Sequence, residues 1–214
     1  KTPIFNVQGY IHTLLDGGIE DPGINRKYLE KAGKNIERLS AIVEDLEAIS
    51  QLESGELRLS FERFDLKRLA SDVIESLEMA ARERHIQLCL EASNSRPWLA
   101  KGDIGRIRQV LTNLLTNAIK YGSDHGTCTI TFYDQEDHLE IAVSDDGIGI
   151  EPDHLNRLFE RFYRVDKSRS REQGGTGLGL SIVKHILEAH GQSISVESEP
   201  GVGTTFRFSL SKPA

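Results

Sequence analysis

The hydrophobic positions of residues 1–53 recur at helical spacing. Two runs of apolar residues repeat every three or four positions: Ile4, Val7, Ile11 and Leu14, then Ile36, Leu39, Val43, Leu46 and Ile49. A period of about 3.6 residues predicts two amphipathic helices, and the glycines and proline of residues 17–23 predict the turn between them. Because two such helices leave part of each stripe uncovered, a second copy of the hairpin, forming a four-helix bundle, is favoured over two core helices of one domain.

From about residue 56 the pattern changes to strands that alternate with helices. Runs of alternating polarity predict strands at 57–61, 85–92, 127–134, 138–146, 194–198 and 204–211. Amphipathic runs predict helices at 65–83, 103–121, 153–163 and 178–190. The predicted fold class is therefore α+β: a helical hairpin at residues 1–54 and, after a hinge near Ser54 and Gly55, an α/β sandwich at residues 55–214 whose helices lie on one face of a mixed sheet.

Composition narrows the classes of function. The chain has 214 residues, of which 38% are hydrophobic, a net charge of -7 and a pI near 5.5. An acidic chain argues against nucleic acid as a partner, and no apolar run reaches the roughly 18–20 residues that cross a bilayer. Cys89 and Cys128 are far apart and lack CxxC spacing, so we expect reduced structural thiols, and the scattered histidines predict no metal site.

Glycine is concentrated at three points of the second domain. Eight of the 19 glycines form three clusters: Gly147 and Gly149; Gly174, Gly175, Gly177 and Gly179; Gly201 and Gly203. The second cluster opens a predicted helix, and such a helix start offers bare backbone amides to an anion such as phosphate. Leu180 stands where a GxGxxG fingerprint would have its last glycine, and no Walker A lysine follows, so neither of those nucleotide motifs is present. The third cluster is explained equally well by a tight turn between two strands.

Asp145 lies where the strand pattern predicts an apolar side chain. In residues 138–146 the core-facing positions are Leu139, Ile141 and Val143, and the next position of that series is Asp145. A buried carboxylate needs a hydrogen-bond donor, which the exocyclic amine of adenine would supply, while the glycines that follow would let a flat ring approach the backbone. The alternative is that Asp145 lies beyond the end of the strand.

The helix predicted at 103–121 has an apolar stripe that we expect to be buried, formed by Ile107, Val110, Leu111, Leu114 and Ala118. The same helix carries a polar stripe. It consists of Arg106, Gln109, Asn113, Asn117 and Lys120, at spacings of 3, 4, 4 and 3. Asparagine carbonyls can ligate a Mg²⁺ ion that arrives with a nucleotide, Lys120 can contact a phosphate, and Tyr121 can lie beside the base. The alternative is a solvated helix face. Arg164, at the end of the helix predicted at 153–163, is either a γ-phosphate contact or a surface arginine.

Five motifs follow one another in order along the second domain. They read N-x-L-x-N-A-x-K-Y at Asn113–Tyr121, D-x-G-x-G at Asp145–Gly149, F-E-R-F-Y-R at Phe159–Arg164, G-T-G-L-G-L at Gly175–Leu180 and G-x-G-T-x-F at Gly201–Phe206. In order and spacing they resemble the N, G1, F, G2 and G3 boxes of the sensor histidine kinases of two-component systems, and the resemblance covers essentially the whole chain. It implies an α/β sandwich of the Bergerat or GHKL type that binds ATP and Mg²⁺.

The resemblance implies roles for the residues that would meet the phosphates. Asn117 would coordinate Mg²⁺, and Asn113 would lie nearby and assist proton removal. Lys120 and Arg164 would contact the phosphate groups. The loop Gly175–Leu180 would be the closing hinge of a lid over the nucleotide.

The resemblance also implies how the base would be held. Tyr121 would form a wall of the base pocket, and Asp145 would read the adenine. Asp146 departs from the family, which often has asparagine there, and it adds a negative charge near the site without abolishing binding. The other residues of the expected ATP site are Gly147, Gly149, Gly175, Thr176, Gly177, Leu178, Gly179, Leu180 and Thr204.

The start of the chain resembles the end of the phosphoacceptor motif H-E-x-[RK]-T-P of this family. Lys1, Thr2 and Pro3 match the last three positions, so we expect the acceptor histidine just before residue 1, and Pro3 at a kink in a helix that begins upstream. His12 lies too far along the helix to substitute. Thr2 matches the position that orients the hydrolytic water when such a kinase acts as a phosphatase. We therefore expect this chain to bind ATP without phosphorylating itself.

Two protein partners are implied by the same resemblance. One is a second copy of the chain, joined through the hairpin, and the other is the receiver domain of a response regulator, whose aspartate takes the phosphoryl group. The resemblance further implies a bacterial sensor anchored upstream in the inner membrane, with this chain on the cytoplasmic side. Two other classes stay open: an ATP-gated dimeric clamp ATPase of the same fold superfamily, and an interaction module with a vestigial nucleotide site. The Lys1–Pro3 match and the hairpin favour the kinase core.

Overall fold

The first part of the chain is an antiparallel helical hairpin. The computed structural model describes residues 2–53, 59–92, 97–165 and 176–213. Helix α1 spans Thr2–Thr13 and continues through a π-helical turn at Leu14–Gly18, and helix α2 spans Asn25–Glu53. Gly17 has a φ of 106°, a left-handed conformation that lets the chain leave the helix. The two helices and their turn are as predicted, and the expected hinge at Ser54 and Gly55 lies outside the described residues.

The hairpin leaves most of its apolar stripe exposed. Among its described side chains, Leu14 and Ala32 are the buried apolar ones. Ile11, Ile36 and Val43 are each 46–52% exposed, although they occupy the positions that the helical period marks as inward-facing. A stripe of this size on a single hairpin is typical of a surface that pairs with another protein surface.

The second part of the chain is built on a five-stranded mixed sheet and a small two-stranded sheet. The strands are β1 (Glu62–Asp65), β2 (Gln87–Glu91), β3 (Leu99–Gly102), β4 (Thr127–Asp134), β5 (His138–Asp145), β6 (Ile194–Glu199) and β7 (Gly203–Ser211). The large sheet has the order β2-β4-β5-β7-β6, in which β2 and β4 are parallel and all other neighbours are antiparallel. Strands β1 and β3 pair antiparallel to form the small sheet.

Three helices cover one face of the large sheet. They are α3 (Leu66–Glu83), α4 (Ile104–Tyr121) and α6 (Gly179–Ala189). Asp65 and Asp103 cap the first two, because the carboxylate of each accepts hydrogen bonds from backbone N–H groups of the first helical turn. The predicted buried stripe of α4 is at most 3% exposed and packs in one core cluster with sheet residues such as Ile130 and Ile141. The predicted sandwich with helices on one face is therefore confirmed.

Two predicted elements differ from the structure, and one strand of the structure was not predicted. Of the helix expected at 153–163, only α5 (Pro152–Leu155) is helical, and turns follow; Phe162 has a φ of 59°, which a right-handed helix does not allow. Of the strand expected at 57–61, the described residues 59–61 are not in a strand and residues 57 and 58 lie outside the described part; the strand β1 follows directly, where it pairs with β3. Strand β3 was not predicted, because four residues after Pro97 carry too little periodicity.

No helix in the described part of the chain has the length and apolar character needed to span a membrane.

Candidate functional site

Asp145 is the last residue of β5 and is half-buried at the end of the large sheet. Its backbone pairs with Cys128 on one side and Thr204 on the other. Oδ1 of Asp145 accepts a hydrogen bond from the backbone N–H of Gly147 at 3.0 Å. Burial raises the pKa of this carboxyl group, and the neighbouring Asp146 raises it further, against the lowering effect of the N–H groups of Gly147 and Thr204. The carboxylate therefore lies within the strand end, in an environment that would favour an additional donor.

The loop that follows Asp145 is packed too closely for side chains at its two glycines. A Cβ atom on Gly147 would lie 2.5 Å from the carbonyl oxygen of Tyr121 and 2.6 Å from Oδ1 of Asp145. Gly149 has a φ of 66°, and a Cβ atom there would lie 2.0 Å from the carbonyl oxygen of Glu199. The loop is thus pressed against α4 on one side and the β6–β7 turn on the other, and its backbone is bare next to Asp145.

The C-terminal end of α4 lies beside this loop. The backbone N–H of Ile148 donates to the carbonyl oxygen of Tyr121 at 3.2 Å. The Lys120 ammonium lies 4.9 Å from the centroid of the Tyr121 ring, within the range of a cation–π contact. Burial raises the pKa of the Tyr121 hydroxyl, and the charge of Arg164 partly offsets this. Arg164, which belongs to the segment after α5, therefore lies near the tyrosine.

The start of α6 contacts both α4 and the segment that carries Arg164. A Cβ atom on Gly179, the first residue of α6, would lie 3.0 Å from Oδ1 of Asn113. Gly177 has a φ of 76°, and its carbonyl oxygen accepts a hydrogen bond from Phe162 N–H at 2.9 Å. The Thr176 hydroxyl accepts from Leu178 N–H at 3.1 Å, which orders the last residues before the helix. The first backbone N–H groups of α6, which have no partner within the helix, point out of this end and favour an anion.

Thr204 and the serine beside it form the other wall of the Asp145 loop. Thr204 is buried, and its hydroxyl lies 2.8 Å from the Ser198 hydroxyl. Ser198 accepts from Ile150 N–H at 2.9 Å and donates to the carbonyl oxygen of Gly203 at 2.9 Å. This serine holds the loop in place, and sequence reasoning missed it, since a polar residue in the alternating pattern of β6 carries no signal of its own.

The carboxylate of Asp146 is used at the start of β4. Both of its carboxylate oxygens accept from the backbone N–H of Thr127, at 3.0 and 2.9 Å, and its carbonyl oxygen accepts from the Ser123 hydroxyl. It thereby fixes the start of β4. The residue that departs from the family pattern thus has a structural use, and its exposed position screens its charge.

The described residues of the predicted site form one connected set. Asn113 meets Gly179, Tyr121 meets Gly147, Asp145 pairs with Thr204, and Arg164 lies near Tyr121. Asn117 is one turn beyond Asn113 on α4, on the same helix face. Gly175 lies outside the described residues. Thr2 belongs to α1, and its side chain is likewise outside the described part.

Chemically, this arrangement offers two different surfaces. The half-buried Asp145 suits a heterocycle with an amine donor, because the carboxylate supplies the acceptor. The glycines after it let the loop pack closely against Tyr121 and Glu199. The start of α6 suits phosphate groups. Arg164 and Lys120 lie near Tyr121, and Lys120 also lines a cleft with Glu83 and Arg84. The site therefore has the donor and acceptor pattern of a nucleotide pocket.

Known protein families match both parts of the chain. Residues 102–214 match the family described as "Histidine kinase-, DNA gyrase B-, and HSP90-like ATPase", and residues 1–55 match the "His Kinase A (phospho-acceptor) domain". The sensor histidine kinase WalK of Bacillus subtilis is 36% identical over 212 residues, which is 98% of this chain and 34% of WalK. This chain thus spans about a third of that relative's length.

Solved structures agree along the chain. The histidine kinase AdeS of Acinetobacter baumannii has a TM-score of 0.80 at 28% identity, and the match covers 100% of this chain and 96% of that one. The histidine kinase ThkA, solved in complex with the response regulator protein TrrA, has a TM-score of 0.78 at 29% identity, covering 99% of this chain and 58% of that one. With both family models matched and sensor kinases similar along its whole length, this chain belongs to the two-component sensor histidine kinases.

Proposed function

We propose that this chain is the catalytic core of a sensor kinase that uses ATP to phosphorylate a histidine and passes the phosphoryl group to an aspartate of a response regulator. Membership of the ATPase family implies ATP binding. The observation that carries the proposal is the half-buried Asp145 at the end of β5, flanked by glycines at positions where a Cβ atom would clash with backbone. A half-buried carboxylate acceptor favours a ligand with a hydrogen-bond donor, such as the exocyclic amine of adenine.

The phosphate end of the pocket explains how the transfer is assisted. A nitrogen of the acceptor histidine forms a bond to the γ-phosphorus, the bond from that phosphorus to the bridging oxygen of ADP breaks, and ADP leaves. Lys120 and Arg164 offset the negative charge of the phosphates, and the amides of the α6 start add their partial positive charge. Asn113 lies against the start of α6, where its side chain can orient the histidine and help the proton leave.

Mg²⁺ belongs to the same proposal as part of the nucleotide substrate. Asn117 supplies a neutral oxygen one turn beyond Asn113, which suits an ion that keeps several waters and binds mainly to phosphate oxygens. The ion neutralises charge that develops on the phosphates during transfer. The side-chain carbonyl oxygen of Asn117 is the kind of ligand atom that Mg²⁺ accepts.

The hairpin provides the acceptor side of the reaction. We place the domain boundary between residues 54 and 55, with the dimerisation and phosphotransfer hairpin before it. The exposed stripe of Ile11, Ile36 and Val43 supports a homodimer through a four-helix bundle, and the ThkA complex with its regulator supports a receiver domain as second partner. Anchoring of the complete protein in the inner membrane, with this core on the cytoplasmic side, is part of the same proposal.

The 214-residue polypeptide itself tests the separation of binding from phosphorylation. It has no histidine in the H-E-x-[RK]-T-P motif, so with γ-labelled Mg-ATP we expect saturable nucleotide binding and a dimer in solution, and no acid-labile, alkali-stable label. An engineered extension that supplies His-Glu-x directly before Lys1 should restore the label. The matched control is the same extension with glutamine in place of the histidine.

Two outcomes would contradict the proposal. Label on histidine in the unextended polypeptide would show that another histidine, such as His12, is the acceptor. An extended chain that binds ATP and stays unlabelled, but hydrolyses ATP steadily, would support the clamp ATPase instead.

A further inference from the structure

Two turns outside the nucleotide pocket bring two histidines and an aspartate together. His85 lies in the turn between α3 and β2, and Asp124 and His125 lie in the turn between α4 and β4. Nδ1 of His85 is 3.1 Å from Oδ1 of Asp124, and Nε2 of His125 is 3.8 Å from Oδ2 of the same carboxylate. One donor atom from each of the three side chains lies within 4.8 Å of the others.

The backbone holds these side chains in position. His85 and His125 have φ values of 53° and 58°, a left-handed conformation that only a few residue types adopt readily. The two turns are joined directly, because the backbone N–H of Gln87 donates to the carbonyl oxygen of Gly126 at 2.9 Å. The imidazole rings stack with centroids 4.9 Å apart and planes 6° from parallel. The backbone of the two turns therefore keeps the three side chains close together, while the side chains themselves stay exposed.

We propose that His85, Asp124 and His125 form a binding site for a borderline transition-metal ion, with Zn²⁺ as the ion of choice. Two imidazole nitrogens and one carboxylate are a donor set that such ions prefer and that Mg²⁺ does not. In a tetrahedral zinc site the ligand atoms lie about 3.4 Å apart, as follows from metal–ligand distances near 2.1 Å. The separation of His85 from Asp124 is already close to that size. The two imidazole rings now stack nearly parallel, so binding requires at least one exposed ring to rotate until both ring nitrogens point at the same ion. A fourth position stays open to water.

The charged residues around the cluster do not favour cations in general, so the type of ligand atom decides which metal ion binds. A cleft of about 290 Å³ adjoins the cluster and is lined by Glu83, Arg84 and Lys120 among others. Arg84 and Lys120 oppose the acidic Glu83, so the cleft does not simply accumulate cations. The affinity has to come from the two imidazoles, and we expect it to be micromolar, since the three side chains are 61–78% exposed.

The site is connected to the nucleotide pocket through one short segment. Asp124 follows directly on Tyr121–Ser123, where Tyr121 accepts from Ile148 N–H and the Ser123 hydroxyl donates to the carbonyl oxygen of Asp146. A bound ion would tie this segment to the α3–β2 turn. The inference does not depend on the kinase mechanism, because it rests on the three side chains alone.

The test uses the tag-free 214-residue chain, freed of metals with a chelator, and titrates Zn²⁺ alone by calorimetry. We expect one zinc ion per chain, bound with micromolar affinity. The variants His85→Asn and His125→Asn should each weaken zinc binding roughly tenfold or more, because each loses one of the ligands. Asparagine tolerates the left-handed conformation of both positions, so the variants are expected to fold. Co²⁺ in place of Zn²⁺ should give a visible absorption band that both variants lose.

His138→Asn is the matched control. His138 is also paired with a neighbouring aspartate, with Nδ1 2.6 Å from Oδ1 of Asp137, and no third donor of this kind joins that pair among the described residues. It should leave zinc binding unchanged. Absence of zinc binding up to sub-millimolar zinc, or equal binding by the parent and by both His85→Asn and His125→Asn, would overturn the proposal. Circular dichroism and Mg-ATP affinity of the variants establish that a loss of zinc binding is local.

Discussion

Replacing Asp145 by asparagine should separate nucleotide binding from stability. The substitution keeps the shape of the side chain and an oxygen that can accept from Gly147 N–H, so the loop that follows should keep its position. It removes the negative charge that would accept a hydrogen bond from the exocyclic amine of adenine. Hydrogen bonds to charged groups are worth about 1.5–3 kcal/mol, which corresponds to a loss of roughly 10- to 150-fold in affinity for ATP.

The unliganded chain should tolerate the same substitution without loss of stability. Burial raises the pKa of Asp145, so its proton is bound more tightly in the folded chain than in the unfolded chain. The stability linked to this group is therefore present at low pH and is lost as pH rises through the folded-state pKa. At pH 7 the ionised carboxylate therefore lowers the free energy of unfolding of the unliganded chain, and asparagine, which carries no charge, removes this effect. Chemical denaturation should give a free energy of unfolding that is equal to the parent's or higher.

Calorimetric titration with Mg-ATP and urea unfolding, on the same preparations, check both halves of this prediction. Nucleotide affinity within a factor of two of the parent would refute the adenine assignment. A clear loss of stability without ligand would show that the carboxylate is needed by the fold itself. The pH dependence of ATP affinity adds a third check. As pH falls, the parent should begin to lose affinity at a higher pH than it would with an ordinary aspartate, because the pKa of Asp145 is raised. Asp145→Asn should not show this loss. Asp146→Asn should shift the onset of the parent's loss to lower pH, since it removes a like charge beside Asp145.

Three further substitutions test other parts of the site. Asn117→Ala should weaken binding of Mg-ATP about tenfold while leaving binding of metal-free nucleotide nearly unchanged, as titrations with and without Mg²⁺ would show. Gly149→Ala should lower the free energy of unfolding by about 1–3 kcal/mol in urea, because its Cβ atom meets backbone at a left-handed φ, whereas Gly33→Ala, in open space on α2, should cost nothing. Ser198→Ala should lower the free energy of unfolding by about 1–2 kcal/mol in the same assay, because it removes the hydroxyl that bridges Ile150 and Gly203. Ser195→Ala, at an exposed position of the same strand, should leave it unchanged. Equal effects of the two substitutions would contradict the bridging role of Ser198.

The elements that the sequence predicts well are those with a long, regular pattern. The stripe of α4 repeats over five turns, and each of its predicted core positions is buried. Helix α5 and strand β3 are four residues each, and neither length allows one period to be distinguished from another. Phe159 and Phe162 suggested a continuous helix, yet the left-handed Phe162 turns the chain so that its N–H can meet Gly177. That contact is tertiary, and no local pattern encodes it.

In the site, too, residues that belong to a continuous motif could be predicted, and residues that act through contacts with distant segments could not. The residues of the five boxes could be named from order and spacing, because each box is a short, continuous stretch. Ser198 could not, since its partners Ile150 and Gly203 lie on other segments. The meeting of His85 with His125 was missed for the same reason, and the expectation that the histidines are too scattered to form a site considered only their separation in sequence.

The third glycine cluster shows how one motif can combine two physical causes. Gly201 has a φ of 78° with open space around it, so a tight turn between β6 and β7 explains it fully. Gly203 has a φ of 145°, and a Cβ atom there would lie 2.0 Å from the carbonyl oxygen of Asp145. Any side chain at this position would push β7 away from the end of β5, and Thr204 would no longer pair with Asp145. The turn reading therefore holds for the first glycine, while the second is required by the closeness of the two strands that support the proposed adenine acceptor.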